Sequence, residues 1–393
     1  MANVAITGPF VLPYMNRSGY NVDEAGGILA CSATGSQLMP PVMGAAAFMM
    51  ATFIGQPYAV VMLAAILPAV LFYFAVAMGV QFLSVRKDLK TVQLDVDWGL
   101  IRRRVCIFII PIGLIFAMLL LRYSPANTAF WTSIVTLVVG FAIKDTRPTW
   151  KELIQSLVSG AATGAKIGIS LALIRMVAQT LISTGLGSKL ASLIHMLAGG
   201  HLFIALVVTM IVSLILGCAV PPAAAYALCA IIIPTLTPMG VALLPAHMFC
   251  FYFSIIAAVT PPVGLASLAA TGISGGNYAI TSVHGFRLSL SGFILPFLIV
   301  YNPLFSLDFS NMAWSVCSLL CILAGLMSLD ALLYGAMVRI FRPVDYLLSL
   351  LVCAGSFWLT VYGDALAAPL LLGLTGAVLA LLAAHIIWQR RTA

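Results

Sequence analysis

Eight stretches of this chain are each long and apolar enough to cross a lipid bilayer, and that restricts its fold more than any short motif does. They lie at about 57–84, 105–122, 126–143, 165–185, 287–306, 310–329, 343–361 and 366–388. A helix needs roughly 20 apolar residues to span the hydrocarbon core, where every backbone N–H and C=O must find its partner within the protein. With 62% hydrophobic and 8% charged residues, the chain has too little polar surface for a water-soluble domain. The expected class is an all-α polytopic membrane protein whose solvent is the lipid bilayer.

Charge placement fixes an expected orientation. The net charge of +8 is scattered between spans rather than gathered on one face, which argues against nucleic acid and for topology signals. With Arg390 and Arg391 placed in the cytoplasm, counting crossings backwards puts Arg339, Arg342, Arg287, Lys144, Arg147 and Lys151 on that side. Arg102–Arg104, Arg86, Lys87, Lys90 and Arg17 join them, leaving Arg122 and Lys189 outside and Lys166 and Arg175 within a span. The segment from Lys144 to Gly160 reads as a charged turn and a helix lying at the cytoplasmic interface. The N-terminal "MANVAITGPF" has neither the basic region nor the cleavage site of a signal peptide.

Two further apolar regions are interrupted: 24–54 at Pro40–Pro41 and 246–272 at Pro261–Pro262. "MPPVMGAAA" and "TPPVGLASL" are related by a constant shift of 221, which also pairs Pro13 with Pro234, Gly19 with Gly240 and Ala25 with Ala246. The stretch 200–238 carries Gly217 and Pro221–Pro222 at its centre and reads as a hairpin that enters and leaves on one side. In the crossing count, the helix leading to Pro40 starts in the cytoplasm and the one leading to Pro261 starts outside, so the repeats are inverted. Proline removes an N–H and clashes with the preceding turn, and freed backbone groups are intolerable against lipid. A single break is also compatible with an ordinary kink. Two breaks related by inversion, each beside Thr, Ser or Gln, point to a midplane site of a secondary transporter. Applying the same shift to the hairpin tip puts its counterpart at the very start of the chain, so the expectation is an N-terminally incomplete permease. That could be a fragment, a mis-assigned start or one half of a split protein, with a missing N-terminal segment as a possible partner.

The stretches "ANVAITGPFVLPYMNRSGY", "ATGSQLMPPVMGAAAFMMA", "GCAVPPAAAYALCAIIIPTL", "TPPVGLASLAATGISGGNYA" and "FILPFLIVYNPLF" resemble the large membrane subunit of tripartite ATP-independent periplasmic (TRAP) transporters, over about residues 2–306. The resemblance is closest to fused permeases that work with TAXI-type binding proteins. It implies an inverted-repeat, elevator-type fold like that of the ion transporter superfamily, with re-entrant helical hairpins and two discontinuous helices. It further implies import of a carboxylate, delivered by a soluble periplasmic protein, with sodium as coupling ion and no other cofactor or metal. Ion-binding positions carried over from the family are Asn3, Thr34, Gly35 and Ser36 in the first half and Gly217, Pro221, Thr260, Pro261 and Gly264 in the second. Substrate contacts are expected at Gln37, Pro41, Pro262 and Ser267. This chain departs from the family's pattern in three ways. A Ser-Gly-Ser-type tip before Asn3 is absent. Pro222 and Ala223 replace a Thr-Thr pair. Arg175 and Gln179 stand where small or apolar residues are usual.

Arg175 has two readings from its own chemistry. It binds a substrate carboxylate bidentately, or it snorkels to the interface or rests on helix carbonyls. Asp330 and Asp345 lie near span ends, so neutral oxygen ligands for sodium are preferred to a carboxylate proton relay. The five histidines lack ligand-like spacing, the eight cysteines form no Cys-x-x-Cys pair, and Cys317 and Cys321 read as packing residues. No P-loop or nucleophile elbow is present, so an enzyme is the disfavoured alternative to a permease of the bacterial inner membrane with a cytoplasmic C-terminus. A third alternative is a remnant that inserts but transports nothing. The expected division is a partial first repeat (1–56), spans and cytoplasmic loops (57–149), a second repeat (150–286) and C-terminal spans (287–393).

Overall fold

Several helices in this chain stop shortly before a Pro–Pro pair or at a left-handed glycine such as Gly55, Gly275 or Gly335. The computed structural model describes residues 2–89, 97–143, 147–218, 220–307 and 310–392; several side chains between 166 and 195, Arg175's among them, fall outside the described set. The chain opens with α1 (Ala2–Ser18), α2 (Val22–Gly35), α3 (Ala45–Ile54) and the 30-residue α4 (Tyr58–Lys87). The short α5 (Trp98–Arg104) meets α6 (Cys106–Leu120) at a 40° bend, followed by α7 (Pro125–Ala142), α8 (Trp150–Ser183) and α9 (Leu186–Ala198). A hairpin of α10 (Leu202–Gly217) and α11 (Pro222–Cys229) continues through 3-10 turns to Met239. Then come α12 (Leu243–Ile256), α13 (Leu265–Ser274) and α14 (Tyr278–Tyr301), and finally α15 (Met312–Tyr334), α16 (Pro343–Tyr362) and α17 (Ala368–Thr392).

Among the described residues, six helices are long and apolar enough to cross a membrane, and the bent α5–α6 pair makes a seventh candidate. The protein is an all-α polytopic membrane protein. The expected span at 165–185 lies within α8, which differs from expectation in one respect. The interfacial helix and the span are one continuous 34-residue helix. No proline interrupts it, and a helical glycine costs only about 1 kcal/mol against alanine, too little for Gly160 or Gly164 to end it.

The repeat is visible in the helix boundaries. Shifting α2 by 221 gives α12, residue for residue at both ends, and the connecting glycines Gly19 and Gly240 have φ of +101° and +90°. The two copies exchange halves. α13 packs on α1 and α2, and in mirror fashion α3 packs on α11 and α12, while α4 packs on α14. Each stretch after a break is thus covered by the other repeat.

The main core gathers Ala25, Met50, Phe72, Tyr252 and Leu288 from both repeats, and a second core under the hairpin holds Leu206, Ile232, Phe249 and Phe253. Glycines allow the closest approaches. The Phe72 ring of α4 lies against Gly35 of α2 and Gly292 of α14, and a methyl group added at Gly292 would come within 2.6 Å of Phe72 Cε2. Exposed Phe108, Phe130 and Leu347 give the outer helices an apolar surface suited to lipid.

The C-terminal helices hold two buried carboxylates. Asp345, third residue of α16, accepts hydrogen bonds from Arg339 (3.0 Å), the Arg342 backbone (2.7 Å) and Gln389 Nε2 (3.1 Å), with His385 Nε2 at 2.9 Å. This network ties α17 to the turn between α15 and α16. Asp330 sits near the end of α15, as its sequence position implies, yet it is fully buried; Ser291 Oγ of α14 donates to its Oδ1 at 2.5 Å and its Oδ2 has no partner among the described residues.

Gly292→Val is expected to destabilise the protein by about 1–3 kcal/mol through overpacking against Phe72. Gly160→Ala, on an open face of α8, should be neutral or stabilising by about 1 kcal/mol. Thermal unfolding of both variants in detergent checks this, and equal effects would contradict the packing.

Candidate binding site at the two broken helices

The first break begins where α2 ends at Gly35 and lasts until Gly44. Thr34 Oγ1 donates to Ala30 O (2.8 Å) and Ser36 Oγ to Ala33 O (2.7 Å). A hydroxyl whose proton is committed to its own helix presents lone pairs outward, which is the property a cation ligand needs. Within the break, Gln37 N bonds Thr34 O (3.2 Å), Met43 N bonds Met39 O (3.2 Å) and Gly44 N bonds Gln37 O (3.0 Å). Met43 takes a left-handed φ of +54°, a conformation that costs a side-chain-bearing residue roughly 1–2 kcal/mol.

The second break repeats this arrangement. Thr260 Oγ1 donates to Ile256 O (2.9 Å), Gly264 N bonds Thr260 O (3.1 Å) and Gly264 has φ +28°. Gly264 and Met43, like Thr260 and Met39, are related by the 221 shift. Both Pro–Pro peptide bonds are cis. Ser267 and Ser282 flank Gly264, with hydroxyls 3.5 and 2.9 Å from where its Cβ would be, and both hydroxyls are buried without a partner among the described residues.

A tyrosine closes each break. Tyr58 OH donates to Pro41 O (2.8 Å) and Val42 O (3.0 Å), and Tyr278 OH donates to Pro262 O (2.7 Å). Each opens the full-length helix that follows the break, α4 or α14. They supply donors to carbonyls that proline chemistry leaves without an intrahelical N–H. Sequence reasoning missed them because the register slips by one residue after Met43 and Gly264. Tyr58 and Tyr278 are 220 apart, not 221.

The remaining expected positions fall as follows. Gly217, at the end of α10, is against the second broken helix; a methyl group there would come within 2.6 Å of Ala257 Cβ. Pro221 caps α11, and Pro222 occupies its first position, where a proline's missing N–H costs nothing. Asn3 stands in the first turn of α1, its carbonyl accepting from Thr7 Oγ1 (2.8 Å), on the helix that packs against α13. The Arg175 side chain lies outside the described residues; its backbone is one turn before Gln179 on α8.

A cavity of about 1500 Å³ opens beside the first break. Val42 and Met43 line it, with Phe48, Met49, Thr52 and Phe53 of α3, a face of α8, the α11 arm and His247 of α12. The second-break residues Thr260, Pro261, Pro262, Gly264 and Ser267 are not in its wall, and neither are Asn3, Gly217 and Gln37. The structure therefore groups Thr34, Gly35, Ser36 and Gln37 at the C-terminus of α2, and Thr260, Pro261 and Gly264 at that of α12, without merging the two groups in this cavity. His247 is buried and also forms part of the cavity wall.

Removing one tyrosine hydroxyl, by Tyr58→Phe or Tyr278→Phe, is expected to cost about 1 kcal/mol, and the double variant about the sum, because the two serve different breaks. Thermal unfolding measures this; unchanged stability in both would show that the hydroxyls do not secure the break carbonyls.

A family model described as "Tripartite ATP-independent periplasmic transporter, DctM component" matches residues 1–314. No curated protein matches the chain. The matched span contains both broken helices and the hairpin and stops at the beginning of α15. The chain therefore belongs to the DctM-component family, the large membrane permease of tripartite ATP-independent periplasmic transporters.

Proposed function

We propose that this permease imports an organic carboxylate with sodium, receiving it from a TAXI-type periplasmic binding protein. The hairpins and broken helices slide as an elevator against a scaffold of full-length spans, and the C-terminus is cytoplasmic. The observation that carries the reading is the pair of matched helix breaks. Each combines backbone carbonyls with a threonine hydroxyl whose proton is already committed, an oxygen-only environment suited to a hard monovalent cation, and each is covered by the opposite repeat. Arg175 keeps its two readings, carboxylate ligand or interfacial anchor.

Asp330 favours a second reading, proton coupling, because a buried carboxylate within a span is a typical proton carrier. The two readings separate in proteoliposomes holding the permease with its partner components and binding protein. Uptake driven by a sodium gradient, and not by a proton gradient alone, is the expected result; the reverse would overturn sodium coupling. Thr34→Ala and Thr260→Ala should each raise half-saturating sodium roughly tenfold, the equivalent of one ion ligand. Arg175→Lys raises KM for substrate if the guanidinium binds the carboxylate and leaves it unchanged if it does not.

A further inference from the structure

The cavity beside the first break has a defined chemistry. Tyr226 and His247 are buried, with the Tyr226 hydroxyl 2.6 Å from His247 Nδ1. Phe53 lies beside both rings, at centroid distances of 6.1 and 6.5 Å. When the hydroxyl donates to Nδ1, the neutral imidazole carries its proton on Nε2, and His247 brings a donor to the cavity wall. An engaged Nδ1 also fixes the ring's orientation, as an outer partner does for a ligating histidine.

A second wall comes from α8. Met176, Gln179, Thr180 and Ser183 follow helical spacing and form one stripe along it, three of the four polar, in a helix otherwise rich in apolar residues. Gln179 adds an amide donor. The Thr180 and Ser183 hydroxyls donate to carbonyls of their own helix, at 2.9 and 3.1 Å, and can turn to a stronger, charged acceptor.

The rest of the enclosure is largely apolar. Phe48, Phe53 and three methionines contribute to it, and methionine adapts to irregular shapes. Among the described lining residues there is no Lys, Arg, Asp or Glu. One carboxylate can be satisfied by His247, Gln179 and the neighbouring hydroxyls. A second would face mainly aromatic and thioether surface, with the Thr52 and Thr237 hydroxyls as its further donors and no cation among the described lining residues to offset its desolvation. At about 1500 Å³ the space exceeds the roughly 300–1,000 Å³ of common small-molecule sites, so a bulky body fits.

We propose that this cavity is the substrate site and takes a monocarboxylate with a sizeable apolar body, its carboxylate held by His247 and Gln179. The inference rests on the carboxylate reading above and narrows it.

The test is equilibrium binding to the full chain in nanodiscs in sodium buffer, with 4-phenylbutyrate, succinate and 4-phenyl-1-butanol as probes. The expected result is that 4-phenylbutyrate binds roughly tenfold or more tightly than either other probe, and that His247→Leu and Gln179→Leu each weaken it by roughly tenfold. Gln179 is on the exposed side of α8, so that variant keeps the test informative if His247→Leu fails to fold. His247→Gln, which retains a donor, should lose less. Succinate binding as tightly as 4-phenylbutyrate overturns the monocarboxylate inference and leaves carboxylate import standing. The alcohol binding as tightly as the acid overturns both. Failure of every probe to bind, or 4-phenylbutyrate binding that ignores both leucine substitutions, removes the site from this cavity.

Discussion

Hydrocarbon offers a broken helix no water, and that single constraint organises this protein. Pro40–Pro41 and Pro261–Pro262 free backbone groups that lipid would leave unpaired. The fold deals with each break three times over. The opposite repeat packs over the following half-helix, Tyr58 or Tyr278 donates to the freed carbonyls, and local bonds such as Gly44 N to Gln37 O close the loop. What these contacts leave over is a small set of acceptor oxygens, which we propose serve the coupling ion.

Much of this was legible in the amino-acid order because it follows from rules with a fixed period. Apolar runs of bilayer length gave the spans. Pro–Pro pairs gave the breaks, and the 221 shift carried α2 onto α12 with no error at either end. Elsewhere the local signal was too weak or pointed the wrong way. The separate interfacial helix expected up to Gly160 is instead the first part of the continuous α8. The one-residue slip after Met43 hid the pairing of Tyr58 with Tyr278. Asp330 sits near the end of its helix, but only tertiary packing shows that its neighbours bury it completely. The Tyr226–His247 pair joins residues 21 apart on different helices, and no spacing rule would have matched them.

The C-terminal helices extend past the family match and still pack onto its core. α15 lies along α4, and Ser291 of α14 is bonded to Asp330. The chain's last helix is held by Asp345, His385 and Gln389 in a fully buried polar cluster. Buried networks of this kind specify one arrangement of helices more than they add net stability. The added helices thus form a fixed continuation of the α4–α14 framework.

Whether the breaks open to a polar interior or to acyl chains is read directly by a spin label. A nitroxide attached at Val42, in the wall of the cavity, should be relaxed more by a water-soluble nickel chelate than by dissolved oxygen in nanodiscs. A label at Phe108, exposed on the apolar α6, should show the reverse preference. Oxygen dominance at Val42 equal to that at Phe108 would place the broken backbone against lipid and contradict the whole construction.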